Sequence, residues 1–281
     1  MTGLTLESLR GEIDHLDDQL IALLLRRAEF AAQVAPLKAQ AGAPMLRPGR
    51  EAQVLRRLVA KADGGFDPLA LVRIWREIMS AALRVQGDFT VAVSAPENAP
   101  TCWGLARGQY GINTPMNGAP GSAQAISQVA AGKAHVAIVP FPAVEERDPW
   151  WARLVADGSP RVVARLPVAT GLEPKGGIAQ GLAVADMAPE PSGDDRTLIV
   201  IETPGSVSRA ALARAVESAG LVLRFAAGHG GGGTAHLLEV DGFLTSDDAA
   251  LARLRSALGD AARDVTVIGA YAVPLSLGEA P

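Results

Sequence analysis

From residue 9 onward, Leu9, Ile13, Leu16, Leu20, Leu24, Ala31 and Val34 return at spacings of three, four or seven. Apolar residues at that spacing share one face of an α-helix, so residues 5–38 are expected to form one long amphipathic helix. Pro36 lacks a backbone N–H and its ring crowds the preceding turn, which predicts a kink or local break near the helix end. The stretch 41–49, with Gly42, Pro44, Pro48 and Gly49, reads as a loop. A second helix is expected over about 50–62, stopped by Gly64-Gly65. Asp67-Pro68 then supplies an N-cap and a first-turn proline for a third helix, ending near Gln86. The first helix is longer than the other two can cover. A second copy of the chain would bury the excess, so residues 1–87 are expected to form an all-α three-helix domain that intertwines as a homodimer.

Composition narrows the rest. A chain of 281 residues suggests two or three domains, and 48% hydrophobic content is too apolar for general disorder. No apolar run approaches the roughly 20 residues of a bilayer span, and no basic-then-apolar leader opens the chain. The single cysteine, Cys102, forms no internal disulfide, and no Cys/His cluster has metal-ligand spacing. A formal net charge of -4 gives no reason to expect a nucleic-acid partner. These features point to a cytoplasmic, multidomain protein without membrane or nucleic-acid partners. The charge is divided unevenly: residues 1–87 carry 12 Lys+Arg against 10 Asp+Glu, and residues 88–281 carry 14 against 20. The first third holds 7 of the 30 glycines.

After Asp88 the periodicity changes. Residues 89–94 and 135–140 read as short buried strands flanking a helix near 123–131, with further strands at 161–168 and 182–186. These make a central α/β lobe over 88–188. The stretch 187–196, with Pro189, Pro191, Ser192 and Gly193, reads as a linker. Beyond it the signals run strand 197–202, helix 206–219, strand 221–227, strand 235–240, helix 247–258, strand 265–271. That βαββαβ order is ferredoxin-like and defines an α+β domain over 195–281. The glycine run from Gly228 to Gly233, with His229 inside it, links two strands rather than leading into a helix, so it reads as a hairpin loop and not a phosphate cradle. Cys102 beside Trp103 reads as a buried small hydrophobe, and Trp150-Trp151 as a packing or interface feature.

Charges stand on the first helix where the stripe calls for apolar residues. Arg27 and Lys38 are 11 residues apart, roughly 1,100° of helix rotation and about 16 Å of rise, so both lie on nearly the same face. Two long cations there could converge on a small anion. Arg10 lies about 100° off that face and is better aimed at a pocket built by a partner chain. Singly, such residues snorkel to water; the set in its order along three helices is more specific.

The order Leu9-Arg10-x-x-Ile13 with Leu16-Asp17, Ala22-Leu23-Leu24-x-x-Arg27, Lys38, Arg50-Glu51 and Gln86 resembles the all-helical chorismate mutases, including those fused to prephenate dehydratases. The resemblance implies that Arg10, Arg27 and Arg50 hold the two carboxylates of chorismate, Arg10 from the other protomer. It implies that Lys38 and Gln86 hydrogen-bond the breaking ether oxygen and that Glu51 binds the ring hydroxyl. Two substrate-side positions depart from the pattern: Arg47 stands where close members have Asp, and Ala82 where they have Ser. Chorismate to prephenate is an intramolecular rearrangement, so no cofactor or metal is expected. A lyase removing pyruvate from isochorismate uses similar cations, and a regulatory protein without turnover is a further alternative.

Residues 123–141 resemble the first lobe of a prephenate dehydratase, but the family's catalytic Thr-Arg-Phe falls on Ala179-Gln180-Gly181, and the chain is too short for a second lobe. Dehydratase activity is therefore expected to be absent. Residues 197–272 resemble an ACT regulatory domain, through the Thr203-Pro204-Gly205 turn and the strand Val267-Ile268-Gly269-Ala270-Tyr271. That likeness implies an amino-acid effector, although Ala227-Gly228-His229-Gly230 replaces the family's phenylalanine-binding segment.

Overall fold

The computed structural model describes residues 5–62, 65–146, 149–205, 207–229 and 235–277. They divide into two compact units: those up to Leu46 together with Ala81–Asp88, and Arg47–Ser80 together with those from Phe89 onward.

The first unit is dominated by α1, Leu6–Gln40. Thr5 and Ser8 cap it reciprocally, each hydroxyl accepting from the other's backbone amide at 3.1 Å. The break expected at Pro36 does not form, and the helix continues to Gln40. So near the C-terminus only the last turn is at stake, and its carbonyls still find donors: Ala41 N bonds Leu37 O at 3.1 Å and Ala43 N bonds Lys38 O at 2.9 Å. No residue of α1 is buried. Its apolar stripe faces outward, with Leu16 55% and Leu20 58% exposed. Only Arg27, Ala31, Ala35 and Lys38 are partly covered, and their spacing puts them on one face of the C-terminal half.

Two helices follow, α2 at Pro48–Ala62 and α3 at Pro68–Gln86. Asp67 caps α3 as expected, its Oδ1 accepting from Leu69 N at 2.9 Å. The expected stop at Gly64 lies outside the described residues. Leu55, Val72 and Met79 form a core with Ala169, joined by Val168 and Leu275 from the far end of the chain.

The larger unit is built on one ten-stranded sheet. Its first half comprises β1 Val91–Ser94, α4 Trp103–Tyr110, β2 Met116–Ala119, α5 Ser122–Ala130, β3 Val136–Pro140, β4 Glu145–Glu146, a single 3-10 turn at Trp150–Leu154, β5 Arg161–Leu166 and β6 Gly181–Ala185. Its second half comprises β7 Asp195–Glu202, α6 Arg209–Ser218, β8 Leu223–His229, β9 Ala235–Asp241, α7 Ala249–Leu258 and β10 Asp264–Ala272. Strands lie in the order β2-β1-β3-β6-β5-β10-β7-β9-β8-β4. β1 runs parallel to β2 and β3, and β6 antiparallel to β3 and β5. Strands β10, β7, β9 and β8 are antiparallel neighbours, which is the ferredoxin-like arrangement expected of the βαββαβ order. Leu212 and Val216 of α6 and Leu251 and Leu254 of α7 pack onto Ile199, Ile201 and Leu238 of this sheet. On a second core, Trp150 and Trp151 are 4% and 0% exposed, the packing role expected of them.

Two local expectations change. The stretch 187–196 is not a free linker. Ser192 donates to the Asp195 carboxylate from its backbone N at 2.9 Å and from its hydroxyl at 2.6 Å, with both residues buried. Its Pro, Ser and Gly content makes a tight knot rather than a tether. Helix α4 and strand β2, where no element was expected, occupy 103–119; Gly104 and Gly108 weaken the helical signal of α4. Of the glycine run, Gly230 to Gly233 lie outside the described residues, while the flanking β8 and β9 pair antiparallel. Cys102 is buried as expected, and burial pushes its thiol up to about 12, leaving it protonated and inert.

Candidate active site

The expected site residues divide between the two units. In the first, α1 and the end of α3 bring Lys38 and Gln86 together although 48 residues separate them. Lys38 Nζ donates to Gln86 Oε1 at 3.1 Å and to the Met45 carbonyl at 2.8 Å. Gln86 Nε2 donates to the Ala82 carbonyl at 3.0 Å, one turn back on the same helix. With its oxygen on the lysine and its nitrogen on the backbone, the amide is held in one orientation. Ala82 has no side-chain polar group to compete, so this turn binds through its backbone. Arg27 shares the covered face of α1 with Lys38, and its partial burial pulls the guanidinium below its ordinary value. Arg10 is exposed and lies on the N-terminal half of α1.

In the second unit Arg47, Arg50 and Glu51 stand at the start of α2, where negative charge is favoured by the helix dipole. Each meets a defined neighbour. Arg47 Nε is 2.7 Å from Glu190 Oε2. Arg50 is exposed and reaches Gln53 Oε1 at 3.5 Å. Glu51 Oε2 takes a 2.6 Å ion pair from Arg76 Nη1. Arg76 is 2% exposed and also donates from Nε and Nη2 to the Gln109 carbonyl at 3.0 and 2.7 Å. The enclosed space beside Glu51 and Arg76 is about 20 Å³, room for one water and no more.

Arg76 is the residue that sequence reasoning missed. Its signal was present: on α3 the buried positions are Val72, Arg76, Met79, Ser80 and Leu83, and an arginine on that stripe requires an anionic or carbonyl partner. What the geometry offers chemically is therefore a positioned ammonium and amide in one unit. The other offers a helix start bearing two arginines and a neutralised carboxylate. Among the described residues no group of His, Cys, Asp and Glu could hold a metal ion, and no helix is long and apolar enough to cross a membrane.

Residues 9–87 match the family model described as Chorismate mutase type II. A 4-amino-4-deoxychorismate mutase of Streptomyces venezuelae is 35% identical over 82 residues, which are 29% of this chain and 80% of that one. The chain thus belongs to the type II chorismate mutase family. A bifunctional chorismate mutase/prephenate dehydratase of Pseudomonas aeruginosa is 35% identical over 142 residues, 48% of this chain and 38% of the relative. The chain therefore spans under two-fifths of that relative's length. Among solved structures, a prephenate dehydratase from Arthrobacter aurescens in complex with L-Phe superposes with a TM-score of 0.45 at 15% identity, covering 66% of this chain and 90% of that one.

Proposed function

We propose that this protein is a chorismate mutase acting in phenylalanine and tyrosine synthesis, converting chorismate to prephenate, and that it works as a cytoplasmic homodimer. The observation that carries the reading is the Lys38–Gln86 pair, a cation and an oriented amide held 3.1 Å apart inside the segment that matches the family. A pericyclic rearrangement needs no nucleophile or proton relay; it needs the substrate folded and the developing ether-oxygen charge met by donors already in place. Lys38 and Gln86 are the donors in this reading. Arg27 and Arg50 clamp the carboxylates, Arg10 reaches the partner subunit's site, and Glu51 receives the ring hydroxyl. Arg47 and Ala82 border the substrate. The outward leucines of α1 support the dimer, because an apolar stripe of that length is buried by a second copy. A lone buried thiol suits a reducing compartment. We assign the remaining residues to a dehydratase-like lobe over 88–188 without dehydration chemistry and an ACT-like domain over 195–281 open to an amino-acid effector.

The test is incubation of the full chain with chorismate and identification of the product by chromatography, with isochorismate and 4-amino-4-deoxychorismate as parallel substrates. Prephenate from chorismate is expected, without onward conversion to phenylpyruvate. Pyruvate from isochorismate would replace the reading with a lyase. No turnover of any of the three would overturn it.

A further inference from the structure

Arg50 and Glu51, at the start of α2, lie between two anchors. The first is Gly49, which is buried and where a Cβ would stand 2.7 Å from the Glu190 carbonyl oxygen and 3.0 Å from that of Pro191. Only glycine lets the helix backbone come this close. Arg47, just before the helix, reaches the same segment with its side chain, its Nε 2.7 Å from Glu190 Oε2.

The second anchor is Arg56. Its Nη1 donates to the carbonyl and the hydroxyl of Ser192, both at 3.0 Å, and its Nη2 to the carbonyls of Asp194 at 2.8 Å and Val273 at 3.3 Å. All four acceptors are neutral, so the contact depends on the planar fork of the guanidinium and not on charge alone. Those acceptors are fixed in their turn. The carboxylate of Asp195, the first residue of β7, takes the Ser192 hydroxyl at 2.6 Å and the Gly193 amide at 3.1 Å. Just past the end of β10, Val273 N bonds Asp194 O at 2.9 Å.

Gly49, Ala52 and Arg56 recur at spacings of three and four, so they share one face of α2. Arg56 stands about two turns and roughly 10 Å beyond Gly49. A helix held at two such points neither rotates about its axis nor slides along it. Arg50 reaches Gln53 of its own helix, so its aim follows that of α2. Arg76 orients the Glu51 carboxylate, but the backbone that carries Glu51 is placed by the anchors on either side.

We infer that Arg56 is a positioning residue for chorismate binding: by gripping the 190–195 segment and the end of β10, it sets where Arg50 and Glu51 present their charges. The chain beyond residue 88 then serves the mutase site as a fixed frame, whether or not it has chemistry of its own. This rests on the mutase reading, in which Arg50 and Glu51 meet the substrate.

Arg56→Met, which keeps the apolar stem, and Gly49→Ala are compared with wild type as full chains. The KM for chorismate should rise about tenfold or more in each while kcat stays within about threefold, because Lys38 and Gln86 are held by bonds of their own. Alanine favours a helix over glycine, so a purely local effect of Gly49→Ala would strengthen the turn and leave KM alone. Arg56→Lys, which retains the charge without the fork, should fall between Arg56→Met and wild type. Amide hydrogen exchange over 49–56 should quicken in Arg56→Met and stay as in wild type over α6. Leu251→Ala, in the core shared by α6 and α7, should lower the melting temperature and leave KM unchanged. An unchanged KM in Arg56→Met overturns the inference. So does an equal rise in Leu251→Ala, which would make the effect one of general stability. Wild type that leaves chorismate unconverted brings down the mutase reading itself; unchanged exchange over 49–56 shows separately that Arg56 does not hold the start of α2, and overturns the inference whatever the kinetics.

Discussion

Arg76 and Glu51 form a 2.6 Å ion pair in which the guanidinium is 2% exposed and the carboxylate 15%. The same guanidinium holds the Gln109 carbonyl, so α2, α3 and the end of α4 meet on one cation. Arg76 thereby fixes one side of the Glu51 carboxylate, the group proposed above to receive the ring hydroxyl.

Removing one partner leaves the other without its counter-charge. Glu51→Gln should lower unfolding free energy by about 3 kcal/mol, read from urea denaturation. The double variant Arg76→Met with Glu51→Gln should lose less than the sum of the two single changes. Additive losses would show that the pair is not coupled.

Lys38→Ala separates chemistry from stability. If Lys38 meets the ether oxygen, kcat on chorismate should fall by about 100- to 1,000-fold. The loss of its hydrogen bonds to Gln86 and the Met45 carbonyl should cost only about 1–2 kcal/mol of stability. Equal turnover by variant and wild type would remove Lys38 from the mechanism.

The stripe on α1 makes a prediction about mass. Wild type should sediment as a dimer of 29.0 kDa chains, and Leu16→Asp with Leu20→Asp should shift it toward monomer. Activity should fall in parallel, because Arg10 then has no partner site to enter. Wild type sedimenting as a monomer would contradict the arrangement.

His236 on β9 is 8% exposed, its Nε2 has no hydrogen-bond partner among the described residues, and burial lowers its pKa from the ordinary 6.5. The unfolded chain takes up this proton more readily than the folded one. The stability it contributes is therefore present above 6.5 and is lost as pH falls from there through the folded value. Urea midpoints should drop between neutral and mildly acidic pH, and His236→Gln should flatten part of that slope.

Much of this molecule was legible in the sequence because its signals are local. The alternation of short apolar runs with helical stretches located β7 through β10 to within a few residues, and the stripe from Leu9 to Val34 located α1. The Lys38–Gln86 pairing was legible only through family likeness, since nothing in spacing alone brings residues 48 apart together. What escaped depends on partners distant in the chain. Ser192 reads as loop until Asp195 is seen beneath it. Arg76 stands on the apolar stripe of α3, but its role shows only once the Gln109 carbonyl and Glu51 are placed around it. The Pro36 break failed because proline's penalty falls on bonds that α1 has nearly finished making.

Arg56 of α2 donates to Ser192 and Asp194 and, at 3.3 Å, to the carbonyl of Val273, 217 residues further on. Leu275 completes the core under the same helix. Some of the material that covers α2 thus leaves the ribosome 217 residues after it. At roughly 5–20 residues per second, α2 waits on the order of ten to forty seconds for its lid. During that interval its apolar face is a site for chaperones or for misassembly, and the speed of translation becomes a determinant of how much correctly folded protein a cell obtains.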